Sequence, residues 1–397
     1  MTGKDLDCPE FFQDPYPFYR RIREEEGGVL WLDHQLSSTR GLWLFAGFAD
    51  AMAIFKETSA ISKCLSKIRA PGMGSPFDLS VLHRDAPDHP RLRKLVGDYF
   101  SPATIAKLQK RVAAIAAELL DDLSRRGEGD FIADFAEPLP LRVVGEMLGV
   151  PREDLGRIRA WTRVMADGFD SLLLKPETVA APREAMREFL AYADALAQAA
   201  PPARGESLLS HLAAAEAAGE IGRDEVTGMV GFILLAGHET TINLLGSGLW
   251  LLLTHRDQWD HLRAQPEALP AAIEEILRYE SPEQRTSFRI ATSPLEFGGH
   301  RIAAGEQIGV IIGSANRDET EFPDADRFDI TRTPNRHVAF GFGIHQCMGK
   351  HLSRLEARVA FAQILERFPG LRLATTDRPE WRRNSFFRGI ASLPVKF

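Results

Sequence analysis

Four groups of residues have the types and spacing to do chemistry, and one of them surrounds a single thiol. Cys347 stands in the run FGFGIHQCMG, Phe340 to Gly349, among Gly341, Gly343 and Gly349. It lies just ahead of LSRLEARVAFAQILERF, whose apolar spacing predicts a helix. Glycine costs conformational entropy and adds nothing to a core, so three of them beside one cysteine imply a backbone that must come close to something. With no second thiol nearby in sequence, a tetrahedral zinc site is disfavoured. A nucleophilic cysteine is compatible, because a helix start lowers a thiol's pKa. Haem iron explains more of the run. A thiolate bound to a flat macrocycle needs close backbone approach, which glycines permit, and amide donors that soften its charge.

The other three groups carry carboxylates, a hydroxyl and basic side chains. In AGHETT and the turn after it, the residues Ala236, Gly237, Thr240, Thr241 and Leu244 share one helical face. Gly and Thr are poor interior helix formers, which predicts a local kink or widening. There a small ligand could meet a hydroxyl and the Glu239 carboxylate, a proton relay in a dry cavity. The bland alternative is a packing notch with a solvated or ion-paired Glu239. In EEILR, Glu275 and Arg278 are one turn apart and suit an ion pair. Were that pair buried, Arg327 in FPDADRFD could join it in a structural lock. His89 and Arg93 in APDHPRLR form two donors one turn apart, suited to a carboxylate or to a basic solvated face. Arg289 and His345 are isolated donors.

These groups need a scaffold, and the chain predicts one that is mainly α with a small β region. From about Pro102 to Ala200 the apolar spacing is helical, as in Ile105, Leu108, Val112, Ile115 and Leu119. The proline-free run Gly222 to His255 predicts a helix of roughly 50 Å. Polar residues at its centre argue against a membrane span. After Pro282, β-branched residues alternate with glycine turns, which predicts short strands and hairpins. AAPPARGE, beginning at Ala199, reads as a loop within one body, so residues 1–397 are expected to form a single domain.

Composition closes off several classes. Apolar residues at 44% and charged residues at 26% are ordinary globular values, and a net charge of −7 argues against a nucleic-acid binder. The cysteines Cys8, Cys64 and Cys347 are too few and odd in number for a disulfide framework, which fits a reducing compartment. The N-terminal stretch has neither a basic nor an apolar signal region. A cytoplasmic protein without a membrane anchor is expected.

Taken together, FGFGIHQCMG resembles the haem-binding signature of the cytochrome P450 family. AGHETT resembles its oxygen-binding helix motif, EEILR its Glu-x-x-Arg pair, and DAPDHPRLR its haem-propionate helix, all in the family's order. Met348, where Leu is frequent, and Glu319, where Pro is frequent, depart mildly. The resemblance implies haem b buried between the long oxygen-binding helix and the helix after the cysteine loop. Cys347 would be the axial ligand of the iron, with Ala236, Phe340, Gly341 and Gly349 against the macrocycle. His89, Arg93, Arg289 and His345 would hold the propionates. Glu239 and Thr240 would be the acid and alcohol of oxygen activation, and Glu275, Arg278 and Arg327 a structural triad.

The implied activity is insertion of one oxygen atom of O2 into a C–H or C=C bond of a lipophilic molecule. A peroxide-driven peroxygenase and a non-catalytic haem or small-molecule binding protein are the alternatives. The chain lacks dinucleotide, flavin and iron–sulfur motifs. Electrons would therefore come from a ferredoxin or flavodoxin with its NAD(P)H reductase, docking near Arg91, Lys94, Lys350 and Arg354. By analogy the substrate pocket includes the loop from about Ile61 to Leu82, Phe232, Leu235 and Ala236, the stretch Glu283 to Phe288 with Gln284, Arg285 and Ser287, and Ser385 to Phe387 with Phe386. A monomer is expected.

Overall fold

Apolar residues at three- and four-residue spacing become the inner faces of helices in the computed structural model, which describes residues 5–33, 41–64, 74–170, 178–203, 207–287 and 289–397. Eight helices build or frame the site. They are α1 (Asp88–Gly97), α2 (Gln109–Arg125), α3 (Leu155–Phe169), α4 (Ala180–Ala199), α5 (Arg223–Ala236), α6 (Glu239–Thr254), α7 (Leu269–Tyr279) and α8 (Lys350–Arg367). The expected helical stretch from Pro102 to Ala200 is thus a series of separate helices. Ile105, Val112, Ile115 and Leu119 are buried, as their spacing requires.

Two cores meet at the site. One joins α2, α6, α7 and α8 through residues such as Val112, Leu245, Ile276 and Phe361. The other joins α1, α3, α4 and α5 through Val96, Ile158, Phe189 and Val230. The run expected as one long helix is therefore split between two cores, and it breaks where they meet. His238 lies between α5 and α6 with φ −126° and ψ −43°. Its Nδ1–H donates to Leu234 O at 2.8 Å, the carbonyl that a continuous helix would give to the His238 amide. The run Arg223–Thr254 is long and apolar enough to cross a membrane, but 78% of its most apolar window is buried, so it reads as a core element.

The β part is a five-stranded sheet, β1 (Val29–Asp33), β2 (Gly41–Phe45), β3 (Ile61–Ser62), β4 (Arg289–Ala291) and β5 (Gln307–Val310), in the order β1-β2-β5-β4-β3. The strands after Pro282 appear as the sequence predicts. β1 and β2 did not stand out, because an apolar run of five residues does not distinguish strand from buried helix. The pairs Ile61↔Ala291 and Ser62↔Ile290 bring the start of the predicted pocket loop beside Arg289. Of that loop, residues 65–73 lie outside the described residues, as does Phe288.

The Glu275–Arg278 pair is fully buried and bidentate, at 2.8 Å from both Nε and Nη2. Arg278 spends its remaining donors on the carbonyls of Asn316, Ala325 and Arg327. Arg327 is not the third charged member as expected. Its side chain is 68% exposed and points to Asp329, and only its carbonyl enters the network. Arg332, five residues on, reaches Glu275 with Nε at 3.3 Å, joined by Asn335 Nδ2 at 3.1 Å and the Asp329 amide at 3.0 Å. Removing one partner of such a pair leaves a buried charge uncompensated. Glu275→Gln is expected to destabilise the protein by about 3–5 kcal/mol in urea unfolding. A loss under about 1 kcal/mol would mean that the pair is as dispensable as a surface bridge.

Candidate functional site

The cysteine loop is shaped by its glycines. Gly341 and Gly343 have φ of +63° and +75°, values that L side chains avoid. A Cβ on Gly343 would also lie 2.5 Å from Phe55 O. The loop closes through the Cys347 amide, which donates to Phe340 O at 2.9 Å. Cys347 then precedes α8 by three residues, and its exposed surface opens onto an internal cavity rather than bulk solvent. Burial pushes its thiol pKa up, while the Gly349 N–H, Arg93 and Arg354 pull it down.

One cavity collects nearly all of the predicted groups. Its walls include Cys347, Phe340, Gly341 and Gly349 from the loop, Ala236 from the end of α5, and Glu239 and Thr240 from the start of α6. His89, Arg93, Arg289 and His345 line the same space, and Phe232, Leu235, Ser287 and Phe386 add its mostly apolar remainder. Gln284 and Arg285 are corrections: neither lines the cavity. Gln284 is buried against the backbone, with Nε2 donating to Ser281 O at 2.8 Å. Arg285 forms a buried ion pair with Asp170 at 3.2 Å. The Glu283↔Phe387 bridge and the Gln284 amide's bond to Phe386 O at 2.7 Å hold this segment so that Glu283, Thr286 and Ser287 line the cavity while Gln284 and Arg285 are buried away from it.

The basic end of the cavity is short of negative charge. The His89 and His345 rings are 4.2 Å apart, and His89 Nε2 has no hydrogen-bond partner among the described residues. Burial first, then Lys63, His89, Arg289 and Arg93, drive the His345 pKa down to about 2. Burial lowers Arg289 to about 10, against the pull of Glu283. Among the described residues Arg93 Nη2 reaches only a carbonyl, Gln346 O at 2.7 Å. A buried orphan donor site, a thiol facing inward and several bases crowded without enough acid suit a flat macrocycle carrying two carboxylates. The residues present fit haem.

The opposite wall holds the acid and the alcohol. Glu239 is 4% exposed and ion-paired with Arg382. Thr240 Oγ1 approaches Ala236 O at 3.5 Å, the limit of a hydrogen bond, so the hydroxyl retains capacity toward the cavity. His238 Nε2 faces Thr162 Oγ1 on α3 at 2.9 Å, tying the helix break to a neighbouring wall. Burial lowers the His238 pKa, against the pull of Glu239 and of the bond to Leu234 O.

Several participants carry no sequence signal. Arg382 lies 143 residues from Glu239, and Lys63 lies 224 from Ser287, to whose Oγ its Nζ donates. No local spacing links such partners. Of the four cations expected at the outer face, two are already engaged. Arg91 pairs with Glu225 and Asp88, while Arg354 forks onto Glu274 at 2.7 and 2.6 Å and stacks on Phe340. Lys94 is exposed, and Lys350 Nζ reaches Gln346 Oε1 at 2.5 Å.

A family model described as Cytochrome P450 matches residues 261–395. The polyketide biosynthesis cytochrome P450 PksS of Bacillus subtilis is 37% identical over 396 residues, spanning 97% of this chain and 96% of that protein. The 6-deoxyerythronolide B hydroxylase of Saccharopolyspora erythraea is 36% identical over 416 residues, covering 100% and 99%. Among solved structures, a myxobacterial cytochrome P450 in complex with myristic acid superposes with a TM-score of 0.92 at 36% identity, covering 99% of this chain and 98% of that one.

Proposed function

The chain belongs to the cytochrome P450 family, and from that premise we propose how its own residues perform the family's reaction. It is a haem-thiolate monooxygenase that puts one oxygen atom of O2 into a lipophilic small molecule, with electrons from a separate redox partner. Nothing favours the peroxygenase or the non-catalytic binding protein. Haem b, bound through a thiolate, supplies electron density that favours O–O cleavage. The observation that carries our assignment is the convergence of Cys347, Glu239 and Thr240 on one cavity from segments more than a hundred residues apart in sequence.

Cys347 Sγ would bind the metal, with the Gly349 N–H softening its charge, and His89, Arg93, Arg289 and His345 would hold the propionates. Thr240 Oγ1 donates a hydrogen bond into the oxygen-binding space. Glu239 passes protons inward from a carboxylate that Arg382 holds ready. The apolar walls at Phe232, Leu235 and Phe386 exclude water and seat the substrate, with Ser287 at the polar margin. Residues 1–397 act as one haem domain, since the relatives align over nearly its whole length. A cytoplasmic location fits the burial of the one apolar run capable of spanning a membrane among the described residues.

The test is turnover with a surrogate ferredoxin and its reductase under isotopically heavy O2. One heavy oxygen per product molecule is expected. Product that takes its oxygen from added peroxide, with none from O2, would contradict the assignment.

The native electron donor is a small acidic ferredoxin or flavodoxin. It docks over Lys94 and Lys350, the two expected cations not spent on carboxylates. The double variant Lys94→Glu, Lys350→Glu is expected to slow reduction by such a carrier about tenfold or more at low salt, with dithionite reduction unchanged. Equal reduction rates for variant and wild type would move the docking face elsewhere.

A further inference from the structure

We propose that Lys63 is an additional propionate-binding residue of this chain and that Glu283 is its counter-ion across the cavity. The proposal rests on the haem reading above. Lys63 is 5% exposed, lines the cavity that holds Cys347, and lies directly after β3, where the chain leaves the sheet beside Arg289. Its position is fixed from three directions. The Lys63 amide donates to Asp85 Oδ1 at 3.0 Å, Ser62 Oγ bonds the same carboxylate, and the β3–β4 pairing holds the strand. At its far end Nζ meets only a hydroxyl, Ser287 Oγ. Among the described residues Nζ forms no ion pair, and Glu283 and Asp85 act on it only through space.

A buried ammonium satisfied by one hydroxyl is costly unless an anion joins it. The remaining bases of the cavity's polar end make the same demand. Lys63, Arg93 and Arg289 line this end of the cavity, and Glu283 lines it with them and acts on Lys63 and Arg289. Two propionates would add negative charge where these cations gather. Burial, then Arg289, lowers the Lys63 pKa against the pull of Glu283 and Asp85, and burial raises that of Glu283 against Lys63, Arg289 and Arg285, so the two groups already feel each other's charge. Glu283 is held on a rigid backbone by its bridge to Phe387 and by the flanking bonds Gln284 N to Phe386 O at 2.7 Å and Arg388 N to Pro282 O at 2.9 Å.

The two residues should push the cofactor in opposite directions. A cation beside a propionate stabilises the reduced, more negative haem, and a carboxylate beside that cation opposes it. In the loaded protein, Lys63→Met is expected to lower the midpoint potential. It should also speed haem transfer to excess apomyoglobin about ten- to a hundredfold, the range typical of groups that support a metal site from outside its ligands. Lys63→Arg should restore both. Glu283→Gln should raise the potential. A purely structural role for the pair would destabilise both variants in urea without shifting their potentials in opposite senses. If the wild type shows a thiolate-haem spectrum while Lys63→Met keeps wild-type potential and haem retention, the proposal is overturned and the haem reading stands. If the wild type shows no such spectrum, the haem reading itself has failed.

Discussion

Cys347→Ser is expected to lose the red-shifted Soret band of reduced, carbon-monoxide-bound protein and all product formation, while its unfolding midpoint in urea barely moves. The bond that closes the loop belongs to the backbone, from the residue 347 amide to Phe340 O, and serine keeps it. Gly341 and Gly343 set the loop's left-handed turns independently of the side chain. What changes is the donor atom. A thiol near a metal surrenders its proton and gives a soft, electron-rich ligand, whereas a serine hydroxyl does not ionise in this range. Haem would still be offered the proposed propionate partners His89, Arg93, Arg289 and His345, so the variant should keep some cofactor with an altered spectrum. A Cys347→Ser protein that hydroxylates at the wild-type rate would remove the thiolate from the mechanism.

The second large effect separates the acid from the alcohol. Thr240→Ala is expected to consume reducing equivalents at a rate close to wild type while most of them leave as hydrogen peroxide instead of product. Its hydroxyl has only a marginal bond to Ala236 O at 3.5 Å, so it is available to hold a hydrogen bond in the cavity. Removing it spares the electron path and forfeits control over where protons go. Glu239→Gln should instead slow the whole cycle, by about a hundredfold, the lower part of the range for general acid–base groups. An amide can accept a hydrogen bond but cannot carry the proton. Peroxide yield and NAD(P)H consumption, measured side by side, distinguish the two. Identical behaviour of both variants would show that Glu239 and Thr240 do not have the separate roles assigned here.

What was legible in the sequence was chemistry held within one turn or one loop. FGFGIHQCMG, AGHETT and the His89–Arg93 turn each hold their chemistry-bearing residues within ten positions, and the fold brings the three to one cavity. A local kink in the long helix was readable, since AGHETT contains the residues that weaken it, but its full break into two helices was not. That break depends on His238 capturing a backbone carbonyl. Arg327 was misjudged in favour of Arg332 for a similar reason: both lie in the same loop, and only the chain's path decides which guanidinium reaches Glu275. Arg382, Lys63 and the Asp170 partner of Arg285 come from distant segments, where pairing is a property of the folded topology. Arg285 was expected in the pocket, but its ion pair with Asp170 lies in the interior.

The central claim is that Cys347 holds a haem as its thiolate ligand. The most direct test is a visible spectrum of the purified wild-type protein, reduced with dithionite under carbon monoxide. A strongly red-shifted Soret band, absent from Cys347→Ser, is predicted. A colourless protein, or the Soret band of a histidine-ligated haem, would contradict the account.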